Sequence, residues 1–205
     1  MLDPERFPSL VAFLESLPHG LDSYPECTAK ASMVLNLADD RPPSPEDLAA
    51  LPPPLRRMSE HRPPVSSWIS EVHSHAMMLA LFDRGFNDLP EFGAYAYKQG
   101  AALLSGRLYA AAFKFVSPSL LIKTAALRWG MFHRGTTCRA VQERDGFVRA
   151  HIEFPQGLFG DVILTGFAEG VRAAMDLATG GGATVAFGAR QPTRACIDLK
   201  WPPKS

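Results

Sequence analysis

The chain reads as an α+β protein: a four-stranded antiparallel sheet arranged hairpin–helix–hairpin behind an N-terminal multi-helix layer. Three observations predict this. Apolar residues recur at helical spacing as far as about residue 135, the pattern then changes to alternation, and two alternating pairs flank one more helical stretch. The expected organisation is a single domain over 1–205, with a helical extension and proline-rich turns over 1–64, a helical layer over 65–135 and a ββαββ sheet module over 136–201.

Asp3-Pro4 opens the first helix, because Asp caps free N–H groups and proline at the first helical position loses no bond. Phe7, Leu10, Val11, Leu14 and Leu17 mark its buried face. A second helix is expected after Ser23, with Pro25 and Glu26 in its first turn and Met33, Val34 and Leu37 buried. Residues 41–64 are rich in proline but contain Ser44-Pro45-Glu46-Asp47, a capped start for a short helix.

From residue 65 to 86, Val65, Trp68, Ile69, Val72, Ala76, Leu79 and Ala80 keep helical spacing, and Met77, Met78, Leu81 and Phe82 widen the stripe. A helix apolar nearly all round is a central one. Another runs from Pro90 toward Lys114 with a break near Gly100 or Gly106, and Ser117-Pro118 caps a further helix through Trp129 and Phe132.

In the sheet module, Asp145-Gly146 suits a tight hairpin, with Val148, Ala150, Ile152 and Phe154 facing inward and Arg149, His151 and Glu153 outward. The stretch 157–178 is a helix in which Gly166, Gly170 and Ala174, spaced by four, leave a groove for close approach of a neighbour. Gly180-Gly181-Gly182 ends it, and a second hairpin turns at Gln191-Pro192 with Ala195, Ile197, Leu199 and Trp201 on one face.

Composition narrows the function classes. With 21 basic against 21 acidic residues, 46% hydrophobic and 20% charged, the chain has no polybasic arm for nucleic acid. No apolar run approaches the ~18 residues that span a bilayer. Cys27, Cys138 and Cys196 lie far apart with no CxxC spacing, and no signal core opens the chain, so a soluble protein of a reducing cytoplasm is expected.

No GxSxG, HExxH or Walker pattern occurs, and the glycine triplet follows a helix where a phosphate loop precedes one, so no catalytic residue is assigned. His73 and His75 point to nearly opposite sides of a helix and do not share a metal easily. His133 is read as a helix-end cap, Cys138 as a buried inert thiol.

The segments Pro118-Ser119-Leu120, Phe154-Pro155 and Ala195-Cys196-Ile197-Asp198-Leu199-Lys200-Trp201 resemble a myxobacterial paralogous family related to the 4-vinyl reductase and haem-NO-binding-like domains, a fold shared with vesicle-tethering subunits. The resemblance covers about 51–201. It implies a small-molecule or gas sensor with a pocket between helices and sheet, and a homodimer or protein partner. Where 4-vinyl reductase domains carry a metal-binding cysteine, this chain has Ala195, and Cys196 falls on the opposite strand face, which argues against a zinc site of that type; with His73 and His75 on different sides of their helix, haem is not expected either.

The expected function is a non-catalytic sensor for a small apolar or aromatic ligand, with Trp68, Met77, Phe82, Tyr95, Tyr109, Phe113, Trp129, Phe132, Phe159 and Phe167 as pocket candidates. The alternative is a protein-interaction module acting through the outer sheet face, with Arg139, Arg149, His151, Glu153 and Arg194 as its surface.

Overall fold

The computed structural model describes residues 2–107, 109–113 and 117–202, leaving out the side chains of Asp39, Ala112 and Phe113. Asp3 accepts from the N–H of Glu5 at 2.9 Å, making the turn into α1 (Pro8–Ser16). The N–H groups of Ser9 and Leu10 donate to the carboxylate of Asp83, so a distant residue caps this helix. Phe7, Leu10, Phe13 and Leu17 are buried beneath it.

The helix expected from Ser23 starts later than its sequence suggests. After a 3₁₀ turn at Gly20–Asp22, β1 (Thr28–Lys30) precedes α2 (Ser32–Asp40). β1 lies between β2 (Trp68–Ser70) and β3 (His133–Arg134), antiparallel to both. Such short strands have no periodicity of their own; backbone partners remote in sequence create them.

The same sheet corrects the reading of 65–70. Trp68 and Ile69 are strand residues, Val65 is 47% exposed, and α5 (Glu71–Gly85) begins only where the Ser70 hydroxyl accepts from the His73 N–H.

The proline-rich segment folds as α3 (Pro45–Ala50), capped by Ser44 as expected, and α4 (Pro53–Glu60). α6 (Leu89–Ser105) stops at Gly106, and α7 (Ala110–Phe113) is separate. The helix expected from Ser117 onward is two short ones, α8 (Pro118–Lys123) and α9 (Ala125–Trp129), divided at Thr124. The Thr124 hydroxyl donates to the Leu120 carbonyl at 2.6 Å, a local bond that competes with helix continuation.

The hairpin–helix–hairpin is as expected. β4 (Thr137–Arg144) and β5 (Phe147–Glu153) turn at Asp145-Gly146, where Gly146 has φ +70°; α10 (Asp161–Thr179) follows, then β6 (Thr184–Gln191) and β7 (Arg194–Lys200). The antiparallel order β4-β5-β7-β6 puts β5 and β7, one from each hairpin, at the centre. Val148, Ala150, Ile152, Ala195, Ile197 and Leu199 form its buried face.

α6 and α10 cross closely. A Cβ built on Gly100 would stand 3.3 Å from the Gly170 Cα, so glycine permits the approach. Gly100→Ala is therefore expected to destabilise the fold by about 1–3 kcal/mol through overpacking, despite alanine's better helix propensity, as read from urea unfolding midpoints.

Candidate ligand-binding site

Between α2, α6, α8, α9, α10 and the inner sheet face lies a cavity of about 210 Å³. Small residues open it: Gly100 and Ala96 on α6, Gly166, Gly170 and Ala174 on α10, Ala140 and Ala150 on the sheet. Large apolar side chains, among them Met78, Leu104, Trp129, Phe167 and Leu199, close its sides. The spacing-by-four on α10 admits close neighbours as expected at Gly166, where an added Cβ would stand 3.5 Å from Met78 Sδ and 3.7 Å from the Phe92 ring, and beside Gly100; a Cβ added at Gly170 itself would meet nothing within 4 Å. The stripe thus provides both close approach and open space.

Neither α8 nor α9, which form one wall, has a buried residue, and Leu127 is 72% exposed. This wall is held by little burial, which lowers the cost of local opening there, although Trp129 anchors its end against His133 and Phe167. Arg128 is on the same wall, its Nε donating to Thr124 Oγ1 at 2.8 Å, and burial lowers its pKa.

His133 also lines the cavity. It is 4% exposed and lies in β3, so it is no helix-end cap as expected from sequence. Its Nδ1 is 2.7 Å from Oε1 of Glu71, a residue with no exposed surface. An ionised carboxylate only accepts, so Nδ1 donates to it, and Nε2 is the ring nitrogen left without that bond. Trp129 stacks on the imidazole at 4.1 Å between centroids, and Phe167 meets it edge-on at 4.9 Å. The ring is thereby held in orientation.

Behind it, His75 Nε2 stands 3.8 Å from the same Glu71 oxygen, while His75 Nδ1 donates to the Leu158 carbonyl at 3.1 Å. Burial lowers the His75 pKa to about 4, the largest influence, opposed by the Glu71 charge. Glu71 Oε2, His75 Nε2 and Thr28 Oγ1 are buried without a hydrogen-bond partner. The Cys27 thiol, whose residue carbonyl accepts the Glu71 N–H, is pushed up to about 12 by burial and then by the charges of Glu71 and Glu26.

Of the residues expected to line a pocket, Trp129, Phe132 and Phe167 line this cavity. Tyr109 packs on Phe132 at 4.7 Å and shares a hydrogen bond with Ser32. Phe159 stacks on Phe154 and meets Phe167 from behind. Met77 is core, with Met78 beside it facing the cavity; Phe82 packs on Phe92, and the Tyr95 hydroxyl donates to the Leu37 carbonyl. Trp68 is remote, held between Lys30 Nζ at 4.1 Å and the Arg134 guanidinium at 3.9 Å. The Phe113 side chain lies outside the described residues.

Glu71 escaped the sequence reading. Its signal is the i, i+4 spacing to His75 behind the capping Ser70. On the outer sheet face Arg149 is bound to Asp198 and Arg194 to Glu153, with His151 beside Cys196; Arg139 is exposed on β4. Among the described residues no group of three or more His, Cys, Asp or Glu side chains is placed to hold a metal ion, and no described helix is long and apolar enough to cross a membrane.

No family model matches the sequence, and no curated protein matches it. Solved structures do match in fold. An oxygen-binding H-NOX domain related to soluble guanylate cyclases is 9% identical with a TM-score of 0.57, over 84% of this chain and 93% of that one. An H-NOX protein from S. oneidensis is 10% identical with a TM-score of 0.55, over 85% and 97%. A third structure, described by haem redox potential modulated through porphyrin distortion, is 7% identical with a TM-score of 0.53, over 83% and 97%. The chain therefore has the haem-NO-binding fold. This overturns the expectation set against haem, because the neighbours include domains described by the haem they hold.

The buried His75 gives a pH test. An unfolded His75 takes a proton near pH 6.5, the folded one only near pH 4, so its contribution to stability is full above about pH 6.5 and is lost as pH falls through 4. On the order of 3 kcal/mol is at stake. His75→Asn, which keeps a donor for Leu158, is expected to flatten the pH 4–7 dependence of the urea midpoint.

Proposed function

We propose that this chain is a non-catalytic sensor module whose cavity, framed by the H-NOX fold, binds an apolar ligand of the haem class. The observation that carries the reading is His133: a cavity-lining imidazole whose Nδ1 is bonded to a buried carboxylate. That carboxylate–histidine pairing is the usual support of a metal-ligating imidazole, setting its tautomer and raising its basicity.

Haem held there would supply an iron centre able to bind a diatomic gas. His133 would be the residue that holds the iron, Glu71 would accept the Nδ1 hydrogen bond, and Trp129 and Phe167 would keep the ring orientation. The methionine, leucine and alanine walls would exclude water, and Arg128 would set a cation against a ligand carboxylate. The donor set fits. The volume of about 210 Å³ is below the roughly 300–1,000 Å³ of most ligand pockets, so a macrocycle requires the α8–α9 wall to move outward.

The same volume favours a second reading, a smaller apolar ligand without iron that enters with no movement of the wall. Kinship with the 4-vinyl reductase domains and with a myxobacterial paralogous family rests on the motifs at Pro118, Phe154 and Ala195 and belongs to this proposal, as does assembly into a homodimer.

Titrating the purified chain with haem and recording its absorbance tests the first reading. A Soret band that co-elutes with the protein is expected, altered in position or lost in His133→Gln, whose amide still donates to Glu71. Gly170→Leu, which fills the cavity, is expected to lower uptake of haem and of an apolar fluorescent probe alike, by tenfold or more on the order of a lost hydrophobic contact. An unchanged spectrum in His133→Gln removes His133 as donor; probe binding without haem binding selects the second reading, and binding of neither refutes both.

A further inference from the structure

The outward face of the four-stranded sheet, away from the cavity, carries three cross-strand rungs between β5 and β7. Arg149 meets Asp198 through two bonds of 2.7 and 2.8 Å, and Arg194 donates to Glu153 at 2.7 Å. Between these ion pairs, in register, stand His151 and Cys196, with Nδ1 and Sγ 3.3 Å apart. The middle rung has the same form as its neighbours: a group able to be a cation faces one able to be an anion.

The edge strand gives way at this level. Register shifts between Phe187 and Arg190 on β6, and the residue beside the thiol is Gly188, where an added Cβ would stand 3.1 Å from the Cys196 Cβ. A bulge with a glycine in it leaves that flank of Cys196 free of a side chain. Cys196 remains only 7% exposed, which restricts its partners to very small molecules.

Among the described residues the charged groups around the pair are on the sheet, and beyond the rungs on either side they include Glu143 of β4 and Lys200 of β7. Arg139 on β4 is in register with His151, Arg149 and Asp198 form the rung on one side, and Glu153 and Arg194 form the rung on the other. On β6, Ala186 and Gly188 bring no charge. The two other thiols differ: Cys27 contacts the Gly135 carbonyl and is pushed up to about 12, and burial pushes Cys138 up to about 11.

We propose that Cys196, with His151 as its base, is an oxidation site that takes hydrogen peroxide, independent of the cavity on the other face. The thiol proton passes to His151 Nδ1, and the thiolate sulfur attacks one peroxide oxygen. An S–O bond forms, the O–O bond breaks, and the departing hydroxide takes the proton back from the imidazolium as water. Sulfur is oxidised to the sulfenic acid, and peroxide is reduced to water.

The test treats the full chain with hydrogen peroxide, traps sulfenic acid with dimedone, and locates the adduct by peptide mass mapping. Cys196 is expected to be labelled ahead of Cys27 and Cys138, at a rate that persists at pH 6.5, well below the ordinary thiol range near 8.5. His151→Gln is expected to slow labelling at pH 6.5 by about tenfold or more, with recovery at alkaline pH. Should that variant fail to fold, the wild-type pH profile decides alone. Labelling of Cys196 no faster than Cys27 or Cys138, a profile rising as for an ordinary thiol, or equal rates in wild type and His151→Gln would each overturn the proposal.

Discussion

A carboxylate with no solvent contact ties this molecule together. Glu71 opens α5, its N–H donates to the Cys27 carbonyl next to β1, and its Oε1 receives the His133 ring from β3. One side chain thus joins the central helix to the small sheet at its base. Removing one partner of a buried pair leaves an uncompensated polar group and typically costs about 3–5 kcal/mol. The arrangement is poor economy for stability alone, since apolar residues of similar shape would do as well. Its yield is an imidazole held in one orientation at the edge of an apolar space.

The two faces of the large sheet treat polarity in opposite ways. Inward, Cys138, Ala140, Val148, Ala150 and Leu199 offer the cavity no strong hydrogen-bonding group. Outward, the long polar side chains spend their charges on one another across β5 and β7. A face paired in this way keeps its central strands in register by side-chain bonds as well as by backbone bonds. What sequence alternation shows as a polar face is, between β5 and β7, a row of mutually bonded pairs, with Arg139 of β4 exposed beside it.

Sequence periodicity carried the later part of the chain well. Asp145-Gly146, the α10 stripe and the alternating Ala195, Ile197 and Leu199 are local signals, and the two hairpins and their helix follow from them. It failed at Thr28–Lys30, Trp68–Ser70 and His133–Arg134, which are strands only because they meet. The site inherits that failure. Trp129, Phe132 and Phe167 were legible as aromatic residues in search of a pocket, whereas His133 and Glu71 are 62 positions apart and nothing local pairs them. Small residues were legible only in part, since glycine spacing signals close approach and empty space equally.

The cavity itself bears on the life of the chain in a cell. Leaving about 210 Å³ of apolar-lined space unpacked forgoes packing that a filled core would have, a loss that matters where the whole margin of many domains is only about 5–15 kcal/mol. An occupant recovers part of that. The unliganded chain would then be the form that proteases and chaperones remove first, and its steady-state abundance would itself report whether the ligand is present.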